Sequence, residues 1–407
     1  MELNNTFSEQ MDQKTNQKEE IDNFDQSFVI SSWDQLDIDE NILRSIHAYG
    51  FETPSPIQTK AIVPIINGRD VIGQAQSGTG KTATFVIGSL THVKLEDRTP
   101  QVLMLAPTRE LAVQTAKVIT GLSRMMNNLK TQVIVGGNSI DEDLSLLRKD
   151  PPHIIVGCPG RVHDMLRRSY ISAKTLKLVV IDEADEMLSS GFKDQIYKIF
   201  QYFNSDIQVA LFSATLPEEI FCITEQFMRN PVKIKVKAES LTLEGISQHF
   251  VAMDDDKQKY ATLKDLFSVV SISQCIIYCN SVKRVAELYE AMCDDGFPVC
   301  CIHSDMDPAA RKTTFNNFIM GQHRVLLSTN LTARGIDVQQ VSVVINFDLP
   351  RDVHCYLHRI GRSGRWGRKG VGINFITRRD IPKMKEIEEY YHCEIKELPA
   401  DFNNLIR

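Results

Sequence analysis

The residues with the clearest chemistry are Ala75-Gln76-Ser77-Gly78-Thr79-Gly80-Lys81-Thr82. Gly78 and Gly80 allow a backbone to curl until successive N–H groups converge. A helix starting at Lys81 would set its partly positive end behind them, which makes a seat for phosphate oxygens. Lys81 would reach β- and γ-phosphates as a point charge, and Thr82 would offer its hydroxyl to Mg²⁺. The general pattern for such a loop begins with Gly, where this chain has Ala75. A second cluster, Asp182-Glu183-Ala184-Asp185, follows the apolar run Val179-Val180-Ile181. One carboxylate there can hold Mg²⁺ and another can orient a water for in-line attack on a phosphoryl group. A third, running from His358-Arg359-Ile360-Gly361-Arg362 to Arg365 and Arg368, supplies the residue type that neutralises charge on a transferring phosphoryl group.

These clusters need a scaffold, and the flanking pattern supplies one. Asp70–Gln74 reads as a short buried strand, and Phe85, Val86, Ile87, Leu90 and Val93 recur at helical spacing after the loop. Continuously apolar segments follow at 101–106, 132–135, 153–156, 176–181 and 208–212, alternating with helical stripes such as Leu111, Thr115, Val118, Leu122 and Met125. Strands apolar on both faces predict a parallel sheet covered by helices on both sides. The pattern thins at 237–245, then restarts with strand-like runs at 274–279, 298–302, 323–328, 342–346 and 370–375. The expected organisation is a polar, acidic tail over 1–27 without hydrophobic periodicity, a first α/β domain over 28–236, a linker over 237–245 and a second α/β domain over 246–407. The second domain has no phosphate loop of its own.

Composition sets the broad class. The 407 residues are 43% hydrophobic and 24% charged, as in a soluble globular protein of two or three domains. No apolar run approaches the roughly 18 residues of a membrane span, and the N-terminus lacks the basic and apolar regions of a signal peptide. Cys158, Cys222, Cys275, Cys279, Cys293, Cys300, Cys301, Cys355 and Cys393 form no C-x-x-C pair. They read as free thiols in a reducing compartment. Net charge is −6, but residues 1–27 hold seven acids against two lysines, so the remainder is close to neutral. A neutral body can carry a local basic track, so bulk charge does not exclude a nucleic acid.

The ordered set of phosphate loop, Asp182-Glu183-Ala184-Asp185, Ser213-Ala214-Thr215 and His358-Arg359-Ile360-Gly361-Arg362-x-x-Arg365 resembles a DEAD-box RNA helicase. Pro107-Thr108-Arg109-Glu110-Leu111-Ala112, Gly136-Gly137, Pro159-Gly160-Arg161 and Ala333-Arg334-Gly335-Ile336-Asp337 match further motifs of that family, and the likeness runs from Trp33 to the C-terminus. Stretches outside the catalytic motifs, among them Phe227–Val232 and Leu241–Ile246, resemble the branch that serves translation initiation.

The resemblance implies two tandem RecA-like domains, each a parallel sheet covered by helices on both faces, joined by a short linker. It implies ATP and Mg²⁺ as cofactors and RNA without sequence preference as partner. Lys81, Asp182, Glu183, Arg362 and Arg365 would be catalytic, with Thr82 and Asp182 holding the metal. Trp33, Gln58, the loop from Ala75 to Thr82, Gly335 and Asp337 would bind the nucleotide. Asp185, Ser213, Thr215 and His358 would couple it to RNA, which Thr108, Arg109, Gly137, Arg161, Asn280 and Thr329 would contact. A cytoplasmic monomer, with an initiation scaffold protein as partner, completes the expectation. Two positions depart from the family: Cys158 where Thr is common and Asn330 where Asp is common. ATP-driven unwinding of short duplexes and an ATP-gated RNA clamp that serves as an assembly platform would share all of these motifs.

Overall fold

The computed structural model describes residues 28–76, 78–137, 139–189, 192–216, 218–236, 246–269, 274–333, 341–363 and 370–399. The expected tail, the expected linker, and Ser77, Gly335, Asp337 and Arg365 lie outside them. The chain divides into two compact units, Met1–Lys237 and Ala238–Arg407.

In the first unit the strands are β1 (Val71–Gln74), β2 (Val102–Leu105), β3 (Thr131–Ile134), β4 (Ile154–Gly157), β5 (Leu178–Ile181), β6 (Gln208–Ser213) and β7 (Val232–Lys235). They pair in the order β3-β4-β2-β5-β6-β1-β7, and every pair is parallel. The apolar runs explain this arrangement. Val102 and Met104 enter one core cluster while Leu103 and Leu105 enter the other, and Leu178 and Val180 divide from Val179 and Ile181 in the same way. A strand buried on both faces needs helices on both, and parallel neighbours need crossovers long enough to hold one.

The second unit has β8 (Ile246–Ala252), β9 (Gln274–Tyr278), β10 (Val299–Ile302), β11 (Val325–Ser328), β12 (Val341–Asn346), β13 (Gly370–Ile376) and β14 (Lys396–Glu397). Their order is β10-β11-β9-β12-β13-β8-β14, again all parallel. Counted from the first strand of each unit, the two orders are the same. Cys275 and Ile277 pack into one core cluster and Ile276 and Tyr278 into another, so this sheet is also covered twice.

Three strands escape the sequence reading. β7 alternates buried and exposed residues and closes one edge of its sheet. β14 is two exposed residues at the other sheet's edge, and its neighbour β8 mixes buried and exposed positions. None has the continuous apolar signature of a central strand.

Because the strands are parallel, their carboxyl ends lie at one edge of each sheet, and loops from adjacent strands become neighbours. β5, β6 and β1 are consecutive, which brings together the loops at Asp182, Ser213 and Ala75. β4 and β2 are consecutive, which does the same for Pro159 and Thr108. Gly157 is what lets helix Pro159–Arg167 pack close to the end of β4. A Cβ there would stand 2.5 Å from Val162 Cγ2 and 2.6 Å from the Ile134 carbonyl oxygen. Gly157→Ala is expected to destabilise the first unit by about 1–3 kcal/mol through overpacking against backbone. Chemical denaturation of the full chain would show it as an earlier first-unit transition, with the second-unit transition unmoved.

Candidate functional site

The phosphate loop leaves the sheet tied to its neighbour strand, because the Ala75 N–H donates to the Ser213 carbonyl at 3.1 Å. Gly78 and Gly80 have φ of 85° and 98°, a left-handed backbone that favours glycine. Gly80 is required on space as well, since a Cβ would stand 2.7 Å from Gln58 Nε2. Thr79 folds the turn inward, its N–H and hydroxyl both donating to the Gln76 carbonyl. Gly80 then caps helix Lys81–Leu90 without any side-chain cap, so no side chain occupies the anion-attracting end of that helix. Lys81 is buried, and its Nζ has no hydrogen-bond partner among the described residues. A buried ammonium left unbonded at the mouth of an uncapped helix fits a phosphate group.

Beside it, the turn after β5 concentrates negative charge. Asp182, Glu183 and Asp185 are each 2–4% exposed. The Asp182 N–H continues the ladder to the Leu105 carbonyl at 3.0 Å, and Asp182 Oδ1 accepts from the Glu183 N–H at 2.9 Å. Glu183 has a φ of 50°, a conformation that non-glycine residues adopt at a cost and that clusters at functional sites. Asp185 is braced from β6, since its N–H donates to Ser213 Oγ at 3.2 Å and its Oδ2 accepts from Thr215 Oγ1 at 2.8 Å. Burial, and then the Glu183 charge, push the Asp182 carboxyl up to about 7, while Lys81 pulls the other way. Carboxylates and a nearby hydroxyl at Thr82 are the hard oxygen donors that suit Mg²⁺.

Two residues expected to bind the nucleotide base have other engagements. Gln58 is 3% exposed, and its Oε1 accepts from the Ser55 N–H at 2.7 Å, so one lone pair of the reading amide is spent on a helix cap. Trp33 is 1% exposed and lies in the core, its ring stacked on Phe51 with centroids 6.1 Å apart. Phe51 is the partly exposed member of that pair.

The residues expected at RNA sit at strand ends in each unit. Thr108, just beyond β2, caps helix Arg109–Leu122 by accepting from the Leu111 N–H. Gly137 has a φ of 92°, and Arg109 lies beside Gly136. Arg161 Nη1 pairs with Asp143 Oδ2 at 2.7 Å, and both side chains are largely buried. Burial raises the Asp143 carboxyl, with Arg161 opposing. Cys158 is the N-cap of helix Pro159–Arg167 and gives it no side-chain cap. In the second unit Asn280 follows β9, its N–H bound to Asp348 Oδ2 and its Nδ2 to the Leu349 carbonyl. Thr329 follows β11 and accepts from the Leu331 N–H. Arg362 Nε donates to the His358 carbonyl at 3.1 Å. Sequence reading missed the contacts that Phe51 and Asp143 make with Trp33 and Arg161, and the structural place of Arg359. Only Arg359 carried a signal, as part of the arginine-rich motif.

Comparison with known proteins gives the family and the fold. Residues 55–221 match the family model described as DEAD/DEAH box helicase, and residues 258–367 match the helicase conserved C-terminal domain. The chain is 49% identical to the eukaryotic initiation factor 4A of Caenorhabditis elegans over 384 residues, 94% of each chain. It is 49% identical to the ATP-dependent RNA helicase eIF4A of Saccharomyces cerevisiae over 378 residues, 93% of this chain and 95% of that one. Among solved structures it is similar to S. cerevisiae Dbp5 bound to RNA and ADP BeF3, with a TM-score of 0.85 and 33% identity, over 93% of this chain and 98% of that one.

The pKa of Asp182 generates a stability prediction. Its folded value lies above the unfolded value near 4, so the folded state holds the extra proton and stability falls as pH rises from about 4 to about 7. Above that window the full cost of the buried charge is present. In chelated, nucleotide-free protein, Asp182→Asn is expected to raise the first-unit melting temperature at pH 8 by several degrees more than at pH 5. An equal change at both pH values would mean that the carboxyl titrates normally.

Proposed function

This chain belongs to the DEAD-box family as an ATP-dependent RNA helicase, and from that premise we propose that it couples Mg²⁺-dependent, RNA-stimulated ATP hydrolysis to local opening of short RNA duplexes. The observation that carries the reading is Lys81, a buried ammonium with no hydrogen-bond partner among the described residues, at an uncapped helix end beside three buried carboxylates. Thr82 and Asp182 would hold Mg²⁺, which when bound supplies positive charge to offset the phosphates. Lys81 and the loop N–H groups orient the β- and γ-phosphates. Glu183, held on its strained turn, orients the attacking water and receives its proton. Arg362 and Arg365 neutralise charge as the phosphoryl group transfers. Phe51, backed by Trp33, offers a stacking face for the base, and Gln58 a remaining amide contact. Asp185, Ser213, Thr215 and His358 transmit the state of the nucleotide.

Thr108, Arg109, Gly137, Arg161, Asn280 and Thr329 address RNA through threonine, arginine, an amide and exposed backbone. Groups of these kinds suit phosphate and sugar, which position a strand without reading its sequence. Similarity to initiation factor 4A supports a role in translation initiation, with a cytoplasmic setting and a scaffold protein as partner. No helix of the described residues is long and apolar enough to cross a membrane.

The test is steady-state ATP hydrolysis with Mg²⁺, with and without single-stranded RNA, alongside strand release from a short labelled duplex. RNA should stimulate turnover, and Glu183→Gln should abolish it while nucleotide binding persists. Turnover at the same rate with and without RNA would overturn the coupling. Full activity in Glu183→Gln would remove that residue from its role.

A further inference from the structure

The turn Pro159-Gly160-Arg161 opens helix Pro159–Arg167, and that helix packs against helix Lys193–Phe200. Gly160, His163 and Arg167 recur at a spacing that puts them on one helix face, and Gln195, Lys198 and Tyr202 recur at the same spacing on the neighbouring element. Contacts tie the two rows together. Gln195 Oε1 stands 3.5 Å from where a Cβ on Gly160 would be. Farther along, the centroids of the His163 and Tyr202 rings lie 6.3 Å apart, with the rings inclined at 56°. Burial, and then the charges of Lys198 and Arg167, lower the His163 pKa against a weaker pull from Asp164, so this ring is mostly neutral at pH 7.

The cations along this face differ in what holds them. Arg161 is engaged with Asp143 in a largely buried bridge. Arg167 and Arg168 both close on Asp164, at 2.7 and 2.9 Å. Lys198 is exposed and makes no ion pair among the described residues, although Asp194 stands one turn before it on the same helix. Tyr202, just past the end of that helix, is 40% exposed. The rows therefore run from the Gly160 turn to a solvent-facing ammonium and a solvent-facing ring. A strand with a charged backbone and flat bases fits that combination, because the ammonium suits a phosphate and the ring suits the face of any base.

We propose that this face extends the RNA track beyond Pro159-Gly160-Arg161, with Lys198 on a phosphate of the adjoining nucleotides and the Tyr202 ring, steadied by His163, stacked on a base. Such contacts lengthen the bound strand without reading its sequence. Arg167 and Arg168, each shared with Asp164, frame the face rather than carry it. The inference rests on the RNA-binding reading above, which puts the strand at Arg161.

The test uses the full chain with a non-hydrolysable ATP analogue and labelled single-stranded RNAs of increasing length, titrated across a series of salt concentrations. Affinity should rise with length before it levels off. Tyr202→Ala should weaken the longer RNAs by about tenfold and spare the shortest that binds, while Tyr202→Phe should keep the gain, since the ring and not its hydroxyl stacks. Lys198→Gln should also weaken the longer RNAs, and its slope of log affinity against log salt should shallow by about 0.7, the share of one single-strand phosphate, with Lys198→Arg restoring it. In Tyr202→Ala the slope should stay as in the unsubstituted chain. Equal affinity for every length in the unsubstituted chain would overturn the proposal. So would variants that bind every length as the unsubstituted chain does, or that weaken all lengths alike. Absence of RNA binding by the unsubstituted chain would instead remove the underlying RNA reading, and the proposal with it.

Discussion

Parallel pairing is the constraint on which everything else in this chain depends. It sends the carboxyl end of every strand to one edge of its sheet, so residues far apart in sequence meet only if their strands are neighbours. In the first unit, the neighbours β5, β6 and β1 bring a carboxylate turn, a Ser-Ala-Thr bend and a glycine loop to one place. The hydrogen bonds from Ala75 to Ser213, and between Asp185 and its partners Ser213 and Thr215, are what that adjacency produces. The same rule in the second unit sets Asn280, Asn330 and Asp348 around one arginine.

Electrostatics then gives the two units different characters. In the first, an ammonium with no hydrogen-bond partner among the described residues stands by three buried acids, and burial holds Asp182 toward its protonated form. Such a site is costly to keep empty of counter-charge and suited to receive phosphate and a divalent cation together. In the second, the acids are spent on Lys259 and Arg284, and the remaining arginine rests on amide and carbonyl oxygens. The first arrangement gives up stability for charge held in a fixed position, which is the form of pre-organisation that binding polyanions rewards.

Much of this was legible in the sequence because the signals are local. A glycine loop after an apolar strand, an acidic turn after another and uninterrupted Val/Ile/Leu runs each say what they form within ten residues. Edge strands such as β7 were not legible, since half of their residues face solvent. Side-chain engagement was also hidden. Trp33 looks like a free aromatic until Phe51 is seen packed on it. Arg161 shows no protein partner in its own stretch of sequence, yet Asp143, on a different helix, lies 2.7 Å away. Arg359 belongs to a motif full of arginines, yet its partners come from three strand ends that only the sheet order makes adjacent. Spacing tells which residues can act. Which of them are already occupied depends on contacts made across the sheet.

The shared strand order of the two sheets invites a position-by-position comparison. β8 holds the place that β1 holds in the first unit, but it runs into Met253-Asp254-Asp255-Asp256 rather than a glycine turn. Thr108 and Asn280 leave equivalent strands, β2 and β9, as do Arg161 and Thr329 after β4 and β11. The loop after β1 carries the glycine turn and the loop after β8 does not. The polypeptide thus repeats one strand order twice, and the two units differ in the loops that leave equivalent strands.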